Sequence, residues 1–152
     1  MLTGSRAVAN IRGALKETKG GHLVRSILMA ALLVTAAAAP AMAQDAAAGE
    51  KDFVVCRACH QIGPTAKNAV GPVLNGVVGR PAGTYPGYNY SVANKTSGIT
   101  WTPDELELYL ANPQKIVPHT KMVYPGLKDP QKVKDVIAFL ETYGPDGQKK
   151  TP

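Results

Sequence analysis

Cys56-Arg57-Ala58-Cys59-His60 holds both cysteines of the 152-residue chain. Cys-x-x-Cys-His is the signature of c-type haem attachment. Each thiol adds across a vinyl group of the macrocycle, and two intervening residues on a helical turn let the sulfurs reach both vinyls. The adjoining histidine then falls beneath the iron and supplies a proximal nitrogen. Two other chemistries share the spacing. A thioredoxin-like redox pair needs a βαβ setting, and no alternating strand run surrounds the motif. A zinc site needs four ligands, and beyond the leader the chain offers only Cys56, Cys59, His60 and a distant His119.

Upstream of the motif, Arg6, Arg12, Lys16, Lys19 and Arg25 face one acid, Glu17, and precede the uncharged run ILMAALLVTAAAA at 27–39. Ala41-Met42-Ala43 follows, with small residues where signal peptidase requires them. A basic region, a short apolar core and an A-x-A site predict a cleavable secretory signal over 1–43 and a domain over 44–152. An uncleaved leader anchoring the domain to the membrane is the alternative. Export puts both thiols in the periplasm, outside the reducing cytosol. The formal charge of +6 belongs mostly to this leader, since residues 44–152 carry twelve basic and ten acidic side chains, a net +2. No basic stripe with interleaved aromatics remains, so nucleic acid is excluded as a partner. A hydrophobic fraction of 45% excludes wholesale disorder. No stretch reaches the roughly 20 apolar residues of a spanning helix, which excludes a multi-span membrane protein.

Downstream, the domain keeps one methionine, Met122, in the Pro- and Gly-punctuated stretch Pro118-His119-Thr120-Lys121-Met122-Val123-Tyr124-Pro125-Gly126. A loop methionine in a haem protein is a candidate sixth iron ligand, and its soft thioether favours Fe(II) and a raised reduction potential. With Met122 as packing, His119 takes that place. Residues 46–57 read as a helix with Gly49, Phe53 and Cys56 on one face, the glycine marking close approach of another backbone. Residues 61–101 are turn-rich, which fits a chain wrapped around a large apolar group. Thr102-Pro103-Asp104-Glu105 predicts a capped helix with Leu106, Tyr109 and Leu110 on one face, stopped by Pro113. Asp129-Pro130 opens a last helix with Val133, Val136, Ile137 and Leu140 at i, i+3, i+4 and i+7, ended by Gly144-Pro145. The expected class is all-α: short helices and long loops around a covalent cofactor.

Taken together the motifs resemble class I cytochrome c of the mitochondrial and c2 type, over Gly49 to about Tyr143. The resemblance is carried by the Cys56 to His60 signature, GPVLNGVVGR at 71–80, YPGYNYSVANKTSGITW at 85–101 and YLANPQKIVPHTKM at 109–122. It implies one haem c tethered by Cys56 and Cys59, with iron between His60 and Met122. It further implies that Pro72 offers its carbonyl to the second ring nitrogen of His60. Arg80, Tyr90 and Trp101 match residues that contact the haem propionates in this family. Asn94, Tyr109 and Thr120 match a hydrogen-bonded group near the methionine. Gly49 and Phe53 match a helix face crossing the last helix near Val136 and Phe139. Tyr124 stands where the family usually has phenylalanine.

The resemblance therefore implies a soluble, monomeric, periplasmic one-electron carrier that is not an enzyme. Its partners would be other redox proteins: a bc1 complex, a terminal oxidase, a photosynthetic reaction centre or a periplasmic dehydrogenase. Lys115, Lys121 and Lys128 are the candidate docking residues, in a ring thinned by Val55 and Gln114. The competing expectation is a periplasmic haem enzyme of peroxidase type, or a sensor, with a labile sixth ligand.

Overall fold

The computed structural model describes residues 43–151, so the expected leader lies outside the described residues apart from Ala43. The first helix, α1 (Ala46–Asp52), starts at Asp45, whose carboxylate accepts the N–H groups of Ala47 and Ala48 at 2.8 and 3.1 Å. The helix expected over 46–57 tightens early into a 3₁₀ turn at Phe53–Val55, where Cys56 N–H and Arg57 N–H both return to the Phe53 carbonyl. Val54 and Val55 are β-branched and weak helix formers, which favours this early end. Residues 61–101 are loop except for one turn, α2 (Val92–Lys95), capped by the Ser91 hydroxyl.

Thr102 caps α3 (Pro103–Ala111) by accepting the Glu105 N–H at 3.2 Å, and Leu106 and Tyr109 turn inward. Proline at 113 ends α3, but it also opens a further turn, α4 (Pro113–Ile116), because proline is preorganised for a first helical position. Asn112 joins the two, its side chain accepting the Lys115 N–H. Asp129 caps α5 (Pro130–Glu141), which buries Val133, Val136, Ile137, Phe139 and Leu140.

Helices α1 and α5 cross at Gly49. A Cβ there would fall on the Asp135 carbonyl, so only glycine allows the approach. The Phe53 and Phe139 rings pack 5.1 Å apart beside the crossing. Asp135 is buried there, accepting from Asp45 N–H and the Gln131 amide, both at 2.9 Å. The long loop is stitched by its own polar groups. Asn68 accepts the Val73 N–H and donates to the Pro86 carbonyl, both at 3.0 Å, and Tyr88 donates to the Val70 carbonyl at 2.6 Å. Among the described residues there are isolated bridges at Pro81–Thr100 and Tyr143–Lys149 but no named strand, so the fold is all-α.

Candidate functional site

Cys59 N–H and His60 N–H both donate to the Cys56 carbonyl, at 3.1 and 2.9 Å, so the motif closes one helical turn. That turn presents two half-buried free thiols and the imidazole from neighbouring positions. Burial, reinforced by Cys59, pushes the Cys56 thiol up to about 11, so it stays protonated at neutral pH. Gly71 N–H to Cys59 O and Leu74 N–H to Gln61 O, at 2.8 and 3.0 Å, hold residues 71–74 against the motif. This brings His60 Nδ1 to 2.7 Å from the Pro72 carbonyl. A carbonyl only accepts, so the proton sits on Nδ1 and Nε2 keeps its lone pair for a metal. Burial lowers the pKa of His60 and the Arg80 charge adds to this, against the opposing pull of the Pro72 bond. A Cβ at Gly71 would collide with the imidazole ring.

On the methionine side, Tyr109 OH and Thr120 Oγ1 lie 3.2 Å apart, and Met122 N–H donates to the same Thr120 oxygen at 3.3 Å. Gln114 donates its amide to the Thr120 and Met122 carbonyls, both at 3.3 Å. Met122 is half-buried against the core, whereas His119 is exposed, with a left-handed backbone at φ 65°. Burial raises the pKa of the Tyr124 phenol, with Cys56 adding to it. Cys56 and Met122 both pack against the same buried core cluster.

Arg80 donates to the carbonyls of Asn75 at 2.9 Å and Val73 at 3.2 Å, and stacks over the Tyr85 ring at 4.8 Å. Tyr90 sits beside it: burial raises the phenol's pKa and the Arg80 charge lowers it. Trp101 is buried with its ring 4.6 Å from that of Tyr109. Asn94 is buried too, but it makes no bond to Tyr109 or Thr120, and its Oδ1 has no hydrogen-bond partner. An orphaned buried oxygen is rare in a finished core and marks a position facing a polar group beyond the chain. Paired thiols, an imidazole with a free Nε2, a half-buried thioether and this orphan all fit a c-type haem. Among the described residues no three His, Cys, Asp or Glu side chains gather as a metal cage.

The cytochrome c pattern matches residues 46–144. Cytochrome c2 of Blastochloris viridis is 50% identical over 127 residues, covering 84% of this chain and 100% of that protein. Cytochrome c2 of Rhodomicrobium vannielii is 54% identical, covering 78% of this chain and 94% of its own length. The chain belongs to the cytochrome c family. Among solved structures, cytochrome cH from Methylobacterium extorquens matches with TM-score 0.62 at 56% identity, over 64% of this chain and 98% of that one. As a member of the family the chain carries one covalently bound haem c.

Asn68 and Gly71 in the cytochrome c site were not singled out from sequence, and Gln114 was noted only as a gap in the lysine ring, not as a tie to the methionine loop. Asn68 gave no signal, because an isolated amide in a polar stretch looks like any solvated side chain. Gly71 was legible as the residue before Pro72. The three lysines differ in their surroundings. Lys121 donates to the Asn89 carbonyl at 2.8 Å, and Lys128 to the carbonyls of Pro125 and Ala111 at 2.6 and 3.1 Å. Lys115 is exposed on α4.

Proposed function

We propose that this electron carrier tethers its haem through Cys56 and Cys59 and holds the iron between His60 Nε2 and the Met122 sulfur. When bound, the haem supplies the one-electron Fe(II)/Fe(III) couple. The chain's task is to keep its ligands still through both oxidation states. On one side the Pro72 carbonyl fixes the imidazole; on the other, Thr120 and Gln114 fix the loop that presents Met122. Arg80, Tyr90 and Trp101 line the polar side, where their donors meet the propionates, and Asn94 belongs with Tyr109 and Thr120 on the methionine side. The observation that carries the reading is the His60 Nδ1 bond to Pro72, which leaves Nε2 as the metal-facing atom.

The carrier acts as a monomer without enzymatic turnover, because the thioether closes the position a substrate would need. It works in the periplasm after loss of residues 1–43, and among the described residues no helix is long and apolar enough to cross a membrane. It exchanges electrons with redox proteins. A bc1 complex, terminal oxidase, reaction centre or periplasmic dehydrogenase fits this role, and Lys115, Lys121 and Lys128 meet the partner. The test is the far-red absorption from methionine sulfur to Fe(III). It is expected in the purified ferric protein, retained in His119→Ala and lost in Met122→Ala, which gains slow peroxide reactivity. A band surviving Met122→Ala, or strong peroxide turnover by the unmodified protein, overturns the assignment.

A further inference from the structure

The cytochrome c pattern ends at residue 144, yet the chain beyond it is folded against the haem-side loop. Residues 144–148 form a tight turn. Gly147 N–H donates to the Gly144 carbonyl at 3.0 Å, Gly144 N–H to the Gln148 carbonyl at 2.9 Å, and Gln148 N–H to Asp146 Oδ1 at 3.0 Å. Gly147, at φ +78°, is buried against Gly63 O and the Asn75 side-chain amide, where a Cβ has no room. Its neighbour Pro145 packs on Gly76, where a Cβ would lie 2.8 Å from the proline nitrogen. Asn75 is the hub beneath this turn. Its buried amide clamps Gly63 in both directions, accepting its N–H at 2.8 Å and donating to its carbonyl at 2.9 Å. Its own carbonyl accepts from Arg80 Nη1 at 2.9 Å.

We propose that the C-terminal turn is a positioning device: through Gly147 and Asn75 it fixes the Arg80 guanidinium relative to the haem and so helps set the reduction potential. The proposal rests on the reading that Arg80 faces the haem. The geometry leaves Arg80 little else to hold it. It is half-buried, and the ion pairs among the described residues involve Arg57, Lys132 and Lys149 instead. Two carbonyls and the Tyr85 face locate its charge, and one of those carbonyls belongs to the residue that the turn covers. A fixed cation in a partly dry setting acts far more strongly than in water, so displacing it changes the energy of charging the iron.

Four proteins test this: Gly147→Ala, a chain ending at Tyr143, a chain ending at Gln148, and Arg80→Lys, each loaded with haem. The first two are expected to move the reduction potential in the same direction as Arg80→Lys while keeping the far-red band. They should also shift the Arg80 guanidinium resonances and speed Gly63 amide exchange by about tenfold or more, as a local opening would. The chain ending at Gln148 keeps the turn but loses the Tyr143–Lys149 bridge, so its Arg80 resonances and Gly63 exchange should match the parent even if it melts earlier. If Gly147→Ala and the shorter chain only melt earlier, with potential and Arg80 resonances unmoved, the turn is a structural cap and the proposal is wrong. A potential unmoved by Arg80→Lys sinks the placing of Arg80 beside the haem. Unmoved resonances in the shortened chain sink the positioning role whatever the potentials do.

Discussion

Tyr109 and Thr120 form a hydroxyl pair that ties α3 to the backbone of Met122. The Tyr109 phenol is buried with Thr120 Oγ1 as its partner, and that oxygen also takes the Met122 N–H. Tyr109→Phe removes one bond of about 1 kcal/mol. Thr120 still accepts from Met122, so the far-red band should persist while the denaturation midpoint falls. Burial raises the Tyr109 pKa above its unfolded value, with the Thr120 bond opposing. The unfolded chain therefore releases this proton first, near pH 10. Its contribution is full below that pH and is lost as pH rises towards the folded value. Guanidinium titrations between neutral and strongly alkaline pH should show a shallower alkaline decline in Tyr109→Phe. An unchanged slope would remove Tyr109 from the account. Gln114 acts on the same loop from outside, through two long bonds. Gln114→Ala should let imidazole displace the methionine from the ferric protein about five- to tenfold more readily, equivalent to roughly 1 kcal/mol of lost loop closure. An unchanged imidazole affinity would mean that Gln114 does not restrain the loop.

The elements that sequence patterning made legible are those whose burial is one-sided. In α5, Val133, Val136, Ile137 and Leu140 all lie inside, as their spacing requires. Gly49 was legible as a close approach, and its clash partner is the Asp135 carbonyl. Gly49→Ala should cost about 3 kcal/mol, at the upper end of overpacking penalties, because backbone rather than a flexible side chain blocks the Cβ. A chemical denaturation midpoint within error of the parent would mean that the helices separate without cost. The single turns α2 and α4 escaped notice because four residues carry no periodicity, and each is held by one cap, Ser91 or Asn112. Of the site, Cys56, Cys59 and His60 were readable from one contiguous motif. Asn94 was placed by resemblance in the Tyr109–Thr120 group; it is buried with an orphan oxygen and makes no direct hydrogen bond to either hydroxyl. Side-chain partnership across loops depends on tertiary placement, which local spacing does not encode.

At the scale of the whole molecule, charge sets how the carrier finds its partners. Residues 44–152 carry a net +2, and the propionates reduce it further. Lys121 and Lys128 have ammonium groups tied to backbone carbonyls, so they are less able to swing towards an acidic partner. Near the thiols and the methionine three valines are also exposed, Val54, Val55 and Val123 at 63%, 52% and 96%, among charged neighbours such as Arg57 and Lys121. Strong steering raises association rates by about 10- to 1,000-fold and collapses with salt. Here it has little charge to draw on. Second-order electron exchange with a purified bc1 complex should therefore fall by less than about threefold as the Debye length shrinks from ~30 to ~10 Å. Lys115→Glu, on the exposed face of α4, should slow exchange only at the low-salt end, because it changes long-range attraction that salt screens. A steep salt dependence in the parent would mean that the few lysines act together as a focused patch.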